Sequence, residues 1–298
     1  MAAELRRRAA PWLAAAVTLA WASGAAAYCR TTTCNPGDPK QKCERDADGC
    51  LTSGKPLFWS DRCLTFSVNE AGSKRQGLDF ATVASTIEAG YATWISATCD
   101  GERPSLEIHT TPAVSCDEIE YNSRHGNANL WVFRDDAWPY GAGATLALTT
   151  ITFNRDTGEI YDADVEVNSA DNPIVVGRQP GKADLLSIAT HETGHVLGLS
   201  HSPDRDATMY ASYSFGTIAL RDLEPDDTAG MCAIYPPGRE TSACNPAPRH
   251  GFSPVCAPAE KKDSGCSVAA QGTAQSGTRA AWLVALAAAF AAVRRRRP

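Results

Sequence analysis

The chain has 298 residues and a formal net charge of −6, with 34 acidic and 28 basic residues. Part of the positive charge lies at the two ends, where Arg6–Arg8 follow the first residues and Arg294–Arg297 precede the last. The segment between them is therefore more acidic than the total charge suggests. A protein that binds a phosphate backbone needs a basic stripe, so this composition argues against a nucleic acid partner.

Residues 1–27 have the three parts of an export signal. A basic start is followed by an alanine-rich apolar run, and the segment ends in Ala25-Ala26-Ala27 directly before Tyr28. A membrane anchor is the alternative, but the run is short and carries its own cleavage pattern. The pattern predicts export with cleavage after Ala27.

Eleven cysteines agree with an oxidising compartment. Cys266 stands apart at the head of the C-terminal tail, and the other ten form an even set that predicts up to five disulfides. Five of the ten lie at or before Cys63, so at least one of these pairs with a later cysteine. Residues 28–56 are rich in Cys, Pro, Gly and Asp and predict a disulfide-held extension.

Residues 57–238 predict one domain in which strands come before helices. "LTFSV" (64–68) alternates apolar and polar residues, as a half-buried strand does, and 106–110 and 129–133 are further strand candidates. Asp79 is placed to cap a helix with one buried face, since apolar residues recur at three- and four-residue steps: Phe80, Val83, Ile87, Tyr91 and Trp94.

A hairpin and two more helices complete this domain. "TLALTTITF" and "EIYDADVEVN" flank "NRDTG", in which Gly158 permits the turn. Helical spacing resumes at Leu185, and a final short helix is predicted near 224–235, ahead of Pro236. The predicted fold class is α+β.

Three carboxylates alternate along the second strand of the hairpin. Asp162, Asp164 and Glu166 are separated by single apolar residues, and this two-residue period favours a solvent-facing strand surface. A calcium site is the alternative interpretation, because calcium binds clustered carboxylates.

The segment "HETGHVLGLSH" (191–201) holds three of the six histidines. His191 and His195 are four residues apart on a predicted helix, which places both imidazoles on one face. Gly198 permits the chain to leave the helix, and His201 then returns to the same point. Three neutral imidazoles suit zinc and leave a fourth position open for water.

Glu192 follows the first histidine directly. A carboxylate beside a zinc site can take a proton from the attacking water and pass it to the leaving amine, so Glu192 is the predicted general base of peptide hydrolysis. The extended pattern His-Glu-x-x-His-x-x-Gly-x-x-His is much more specific than its first five residues alone.

With this motif, Ser202, "ATMY" (207–210) and "LEPDDTAGMCAIY" (223–235), the chain resembles the metzincin metallopeptidases, and within them the matrixin group. The resemblance implies a twisted mixed sheet, an active-site helix, a methionine turn and a C-terminal helix. It implies His191, His195 and His201 as zinc ligands and Glu192 as base. Met209 would lie in the turn beneath the metal, Asp226 and Asp227 would brace the site, and an extended peptide would bind along an edge strand.

One zinc ion is predicted. No histidine lies between Trp131 and Pro173, so the second, structural zinc of animal matrixins is not supported. Together with the export signal, the resemblance implies an exported zinc endopeptidase that acts on proteins or peptides, and we expect it to be a monomer. The alternatives are hydrolysis of a small peptide or ester, and a surface binding protein that keeps the fold and the metal without catalysis.

The C-terminal region predicts a linker and an anchor. Residues 239–265 contain several prolines and two cysteines, which is typical of a linker. Residues 266–298 resemble a myxobacterial cell-surface sorting tail, with Cys266, an uncharged run at 280–293 and the terminal arginines. A frayed hydrophobic tail is the alternative. The resemblance implies an extracellular or cell-surface protein with membrane contact through this tail.

Overall fold

A computed structural model describes residues 27–141, 143–258 and 267–273. Most of the predicted signal and of the predicted sorting tail, including Cys266, the run at 280–293 and the arginine cluster, lie outside the described residues. Among the residues that are described, no helix is long and apolar enough to cross a membrane.

Within the described residues, eight strands form two sheets. In chain order they are β1 (Cys63–Val68), β2 (Glu107–Thr110), β3 (Leu130–Phe133), β4 (Thr145–Phe153), β5 (Ile160–Val167), β6 (Ile174–Val175), β7 (Ala183–Asp184) and β8 (Ser267–Thr273). The larger sheet has the order β2-β1-β3-β5-β4-β8, and β6 pairs with β7. The first four strands of that order are parallel, and β4 is antiparallel to both of its neighbours.

In the part of the chain that the structure describes, three α-helices accompany the sheet: α1 (Phe80–Ile95), α2 (Leu185–Val196) and α3 (Pro225–Ile234). The predicted cap is confirmed, because the side chain of Asp79 accepts a hydrogen bond from the Thr82 N–H at 2.8 Å. The predicted β4-β5 hairpin is also confirmed, and Gly158 takes a φ of 82° in its turn. The mixed sheet with its helices confirms the predicted α+β class.

Helices α1 and α2 pack together over one face of the sheet. The rings of Phe66 and Tyr91 stack with centroids 4.3 Å apart, which joins β1 to α1. The indole N–H of Trp94 donates to the Thr190 carbonyl at 2.7 Å, which joins α1 to α2. Gly90 permits this close approach, because a Cβ there would lie only 3.0 Å from Ala189. The helix that carries the histidine motif is thus anchored in the largest apolar cluster of the described residues.

Apolar side chains cover the opposite face of the sheet as well, so the predicted solvent-facing surface on the second hairpin strand is wrong. Leu130 and Val132 form a second apolar cluster with Val114 on that face. Asp162, Asp164 and Glu166 lie beneath this covering with at most 2% of their surface exposed, and they are not a solvent-facing strand surface. The two-residue period reports which residues share a face, but it does not report whether a loop covers that face.

The buried carboxylates have different partners. The Glu166 carboxylate accepts from the Arg134 guanidinium and from the Tyr140 hydroxyl, each at 2.5 Å. Asp164 accepts from the Leu130 N–H at 2.8 Å and lies against Asp162. Burial and the neighbouring Asp164 raise the pKa of Asp162 well above its usual value, and burial raises the pKa of Asp164 to about 8. Calcium binding at these residues stays a prediction.

Five disulfides join the ten cysteines that were predicted to pair: Cys29–Cys50, Cys34–Cys43, Cys63–Cys244, Cys99–Cys232 and Cys116–Cys256. The expectation that one of the first five cysteines pairs later in the chain is confirmed by Cys63–Cys244. Residues 239–258 of the predicted linker lie against the domain, since two of these bridges hold them there.

The Asp162–Asp164 pair predicts a stability that depends on pH. A carboxyl group whose pKa is raised in the folded state favours folding only while it keeps its proton. The free energy of unfolding should therefore fall as pH rises from about 4 towards 8, by up to about 1.4 kcal/mol per pH unit for one proton. Asp162→Asn supplies an amide N–H donor in place of the carboxyl O–H but cannot ionise, so the stability of the variant should depend less on pH.

Urea unfolding at several pH values between 4 and 9 measures this difference. Asp156→Asn is the matched control, because Asp156 is exposed in the hairpin turn. Parallel stability curves for wild type and Asp162→Asn would contradict the prediction. The same series with added calcium tests the calcium interpretation, since a bound cation would stabilise wild type at high pH and leave Asp162→Asn unchanged.

Candidate active site and metal centre

Helix α2 is held at both ends. At its start the Asp184 carboxylate accepts from the Ser187 N–H at 2.9 Å and forms a two-bond ion pair with Arg221. Near its end the Trp59 indole donates to the Val196 carbonyl at 2.8 Å. These contacts satisfy backbone groups that a helix leaves unpaired at its ends, and they fix the helix that presents His191 and His195.

The chain leaves α2 at Gly198, as predicted. Gly198 has a φ of 96°, in the left-handed region that glycine adopts without strain, and a Cβ there would lie 2.6 Å from the Leu57 carbonyl. The Cys-rich extension pairs with the strand-like segment that follows. The Thr31 N–H donates to the Gly198 carbonyl at 3.0 Å, and the Ser200 N–H donates to the Cys29 carbonyl at 2.8 Å. The extension therefore supports the segment that leads to His201.

The three imidazoles converge. One ring nitrogen from each of His191, His195 and His201 lies within 4.8 Å of the other two, and Nε2 of His195 is 3.3 Å from Nε2 of His201. Nε2 of His191 is buried and has no hydrogen-bond partner among the described residues. A buried nitrogen without a partner is costly unless a ligand takes it, so this group is suited to a metal ion.

Backbone carbonyls orient two of the rings. Nδ1 of His191 lies 2.7 Å from the Thr208 carbonyl, and Nδ1 of His195 lies 3.0 Å from the Leu199 carbonyl. A carbonyl only accepts hydrogen bonds, so Nδ1 carries the proton in each ring and the lone pair is on Nε2. This arrangement, in which the second nitrogen donates to a fixed acceptor, is typical of metal-binding histidines.

Burial keeps these imidazoles neutral. It lowers the pKa of His191 to about 4, and burial together with the neighbouring His191 lowers the pKa of His201 to about 3. Burial and both neighbouring histidines lower the pKa of His195 well below its usual value. Three neutral nitrogen donors at one point fit a zinc ion, and these residues would hold it.

Glu192 lies on α2 and faces β4. Its carboxylate oxygen Oε2 accepts a hydrogen bond from the Thr149 hydroxyl at 2.7 Å, and the residue is 2% exposed. Burial raises the pKa of Glu192 to about 8, while the Thr149 hydrogen bond acts in the opposite direction. A carboxylate with a pKa near neutrality can both accept and return a proton.

Met209 lies directly beneath α2. It is 2% exposed, and a Cβ built on Gly194 would collide with its Sδ atom. Gly194 lies between the two helical histidines, so the missing side chain leaves room for the methionine. The Ser202 N–H donates to the Met209 carbonyl at 2.8 Å, which ties this turn to the residue after His201.

Asp226 and Asp227 hold the segments on either side of the histidine group. The Asp227 carboxylate accepts from the N–H groups of Thr208 and Met209, at 2.7 and 3.0 Å. Asp226 accepts from the Ser202 hydroxyl at 2.6 Å and from the Ala27 N–H at 2.6 Å. Both also lie in the first turn of α3, where a negative charge complements the helix dipole.

Comparison with known proteins identifies the family. Residues 58–236, more than half of the chain, match the family model described as Matrixin. The chain is a matrixin. Membership implies catalysis that depends on zinc, in agreement with the donor set described above.

Named relatives of this matrixin come from animals and plants. It is 32% identical to Matrix metalloproteinase-C of Caenorhabditis elegans over 206 residues, or 66% of this chain and 32% of that protein. It is 30% identical to Metalloendoproteinase 1-MMP of Arabidopsis thaliana over 189 residues, or 62% of this chain and 46% of that protein. Neutrophil collagenase of Homo sapiens is 46% identical over 52 residues, or 17% of this chain and 11% of that protein. The matrixin thus covers less than half the length of each relative.

Two other groups of potential donor atoms occur in the described part of this matrixin. Cys63, Glu107, His109 and Cys244 form one, and Cys116, Glu120 and Cys256 form the other. In both groups the two cysteines are joined to each other in a disulfide, so their sulfur atoms are not thiolate ligands.

Sequence reasoning missed several residues that shape the site. Thr149 was part of a strand candidate, but nothing in an apolar and hydroxyl-rich run indicates which threonine meets a distant carboxylate. The ion pair between Asp184 and Arg221 and the pairing of Thr31 with Gly198 join segments far apart in the chain. Single-sequence patterns report local spacing, so such contacts leave no signal in them.

The histidine group predicts zinc stoichiometry. His201→Ala should bind far less zinc than wild type, because two imidazoles remain where the site needs three protein ligands. His250→Ala is the control, since His250 is exposed and hydrogen-bonds Tyr121 instead. Zinc per chain is measured by elemental analysis after dialysis. Full stoichiometric zinc in His201→Ala would contradict this role for His201.

Proposed function

We propose that this matrixin is an exported, zinc-dependent endopeptidase. The observation that carries the proposal is the convergence of three neutral imidazole nitrogens beside a buried carboxylate, Glu192. Relatives with "metalloproteinase" or "metalloendoproteinase" in their names support the reaction class. A binding protein that had lost catalysis would not need a carboxylate at position 192.

Zinc bound by the three histidines supplies a Lewis acid that polarises water and the scissile carbonyl. Glu192 accepts the proton that the water loses as its oxygen bonds to the carbonyl carbon. The same carboxyl group then gives this proton to the amide nitrogen as the C–N bond breaks. Thr149 positions Glu192 through its hydroxyl, and Met209 and Asp227 hold the floor of the site.

Proteins or peptides are the proposed substrates, and they bind in extended form. β4 carries Thr149 towards Glu192, so the backbone edge of β4 that faces away from β5 lies near the proposed general base. An extended chain that adds to this edge gains backbone hydrogen bonds whatever its side chains are, and it passes in front of the histidine group.

Export and retention at the cell surface complete the proposal. The five disulfides support an oxidising compartment, and the signal pattern at 1–27 supports export. The sorting-tail pattern at 266–298 supports attachment at the surface of the cell, with membrane contact through the apolar run. The catalytic domain is proposed to act as a monomer.

Glu192→Ala tests the mechanism. It should keep nearly full zinc while kcat/KM for peptides falls by several orders of magnitude, because the three histidines stay and the base is lost. The measurement is cleavage of a mixed peptide library followed by mass spectrometry, with and without a zinc chelator. Wild-type rates in Glu192→Ala would contradict the proposed base, and chelator-resistant cleavage would contradict the proposed metal dependence.

Thr149→Val tests the positioning of Glu192. Valine has the shape of threonine without the hydroxyl, so the variant should fold and bind zinc while kcat falls about tenfold and KM changes little. Thr149→Ser restores the hydroxyl and should recover most of the rate. If the serine and valine variants lose the same activity, Thr149 has only a packing role.

A further inference from the structure

The outer edge of β4 is occupied by the chain's own C-terminal segment. β8 runs antiparallel to β4, with Thr273 opposite Thr145 and Ser267 opposite Thr152. The inner edge of β4 is filled by β5. A strand has only two edges for backbone hydrogen bonds, so β8 and a bound peptide cannot use the outer edge at the same time.

We infer that residues 267–273 are an intramolecular competitor for the peptide-binding edge of this enzyme. The inference rests on the proposed function, which assigns the outer edge of β4 to the substrate. The segment is paired antiparallel to β4 along this edge, so a substrate has to displace it before hydrolysis.

The register brings the competitor to the catalytic carboxylate rather than to a remote part of β4. Ala270 lies opposite Thr149 in the ladder, and the Thr149 hydroxyl donates to Glu192. Cα atoms of β8 also come within 8 Å of Cα atoms of α2, the helix that carries the histidines. A peptide that reaches Glu192 along β4 therefore meets residues 267–273.

The composition of the segment suits pairing through the backbone. "SVAAQGT" has no proline and no charged residue, so every position keeps its N–H donor. Strand addition of this kind takes its affinity from main-chain hydrogen bonds, and it takes specificity from pockets for alternate side chains. The segment can therefore bind this edge through backbone hydrogen bonds, without side chains that fit particular pockets.

A covalent tether keeps the competitor close. The Cys116–Cys256 disulfide fixes the chain at Cys256, and ten residues separate Cys256 from Ser267. Those ten residues span at most about 35 Å when extended. A tether of this length produces an effective concentration in the millimolar range, so peptides at micromolar concentration compete poorly. Weakening β8 should therefore lower KM.

The full-length double variant Ala269→Pro/Ala270→Pro tests the inference. Successive residues of a strand direct their N–H groups to opposite sides, so one of two adjacent prolines removes a donor that faces β4. KM for a fluorogenic peptide should fall about tenfold, with kcat within twofold of wild type. Ala269→Ser/Ala270→Ser keeps both N–H groups and should behave as wild type. An unchanged or higher KM in the proline variant would overturn the inference.

A binding assay separates this inference from the proposed function. In a Glu192→Ala background, a labelled peptide should bind more tightly to the proline variant than to its serine control, as measured by fluorescence polarisation. A synthetic "SVAAQGT" peptide should displace the label. If no variant shows chelator-sensitive hydrolysis, the proposed function fails. If the proline variant and its serine control bind the peptide with equal affinity, residues 267–273 are not a competitor.

Two further measurements complete the test. Backbone amides of residues 145–152 should exchange with deuterium faster in the proline variant than in the serine control, and equal exchange would overturn the pairing. The intact mass of the incubated wild-type protein should show residues 267–273 uncut. Cleavage within them would make the segment a substrate and overturn its role as a competitor.

Discussion

The site depends on one constraint: three neutral imidazoles from two different segments have to meet at one point. Helix geometry brings His191 and His195 together, but His201 follows a reversal at Gly198 and needs separate support. The extension pairs its residues 29–31 with 198–200, and Asp226 holds Ser202 next to His201. The proposed ligand that helix geometry does not position is therefore supported by segments that lie outside the histidine motif. This explains why a Cys-rich extension with two disulfides of its own belongs to the catalytic unit.

A second layer of contacts converts this local motif into a rigid site. The Thr208 carbonyl orients His191, while the Thr208 N–H and the Met209 N–H are both held by the buried carboxylate of Asp227. A shift of α3 would therefore move the methionine turn and the acceptor of His191 together. Gly194 shows the same coupling from the helix side, because any side chain there would occupy the space of the Met209 sulfur.

Sequence patterns predicted the parts of this molecule that depend on local spacing. The helix after Asp79, the hairpin around Gly158 and the histidine motif are encoded within about twenty residues each, so a single sequence displays them. The three carboxylates Asp162, Asp164 and Glu166 were wrongly predicted to face solvent. The apolar cluster on their face of the sheet includes Val114 and Phe252, which come from other parts of the chain. The Thr149–Glu192 hydrogen bond and the β4–β8 pairing were missed for the same reason. The fold class and the proposed metal ligands follow from local patterns, whereas the contacts that position the site residues do not.

β4 combines two requirements that conflict with each other. Its Thr149 side chain is hydrogen-bonded to Glu192, while its outer edge is the one that the proposed peptide substrate would use. An unpaired edge is also a template for association with other chains. β8 covers this edge, and under the inference above a peptide substrate would replace it through backbone hydrogen bonds of the same kind.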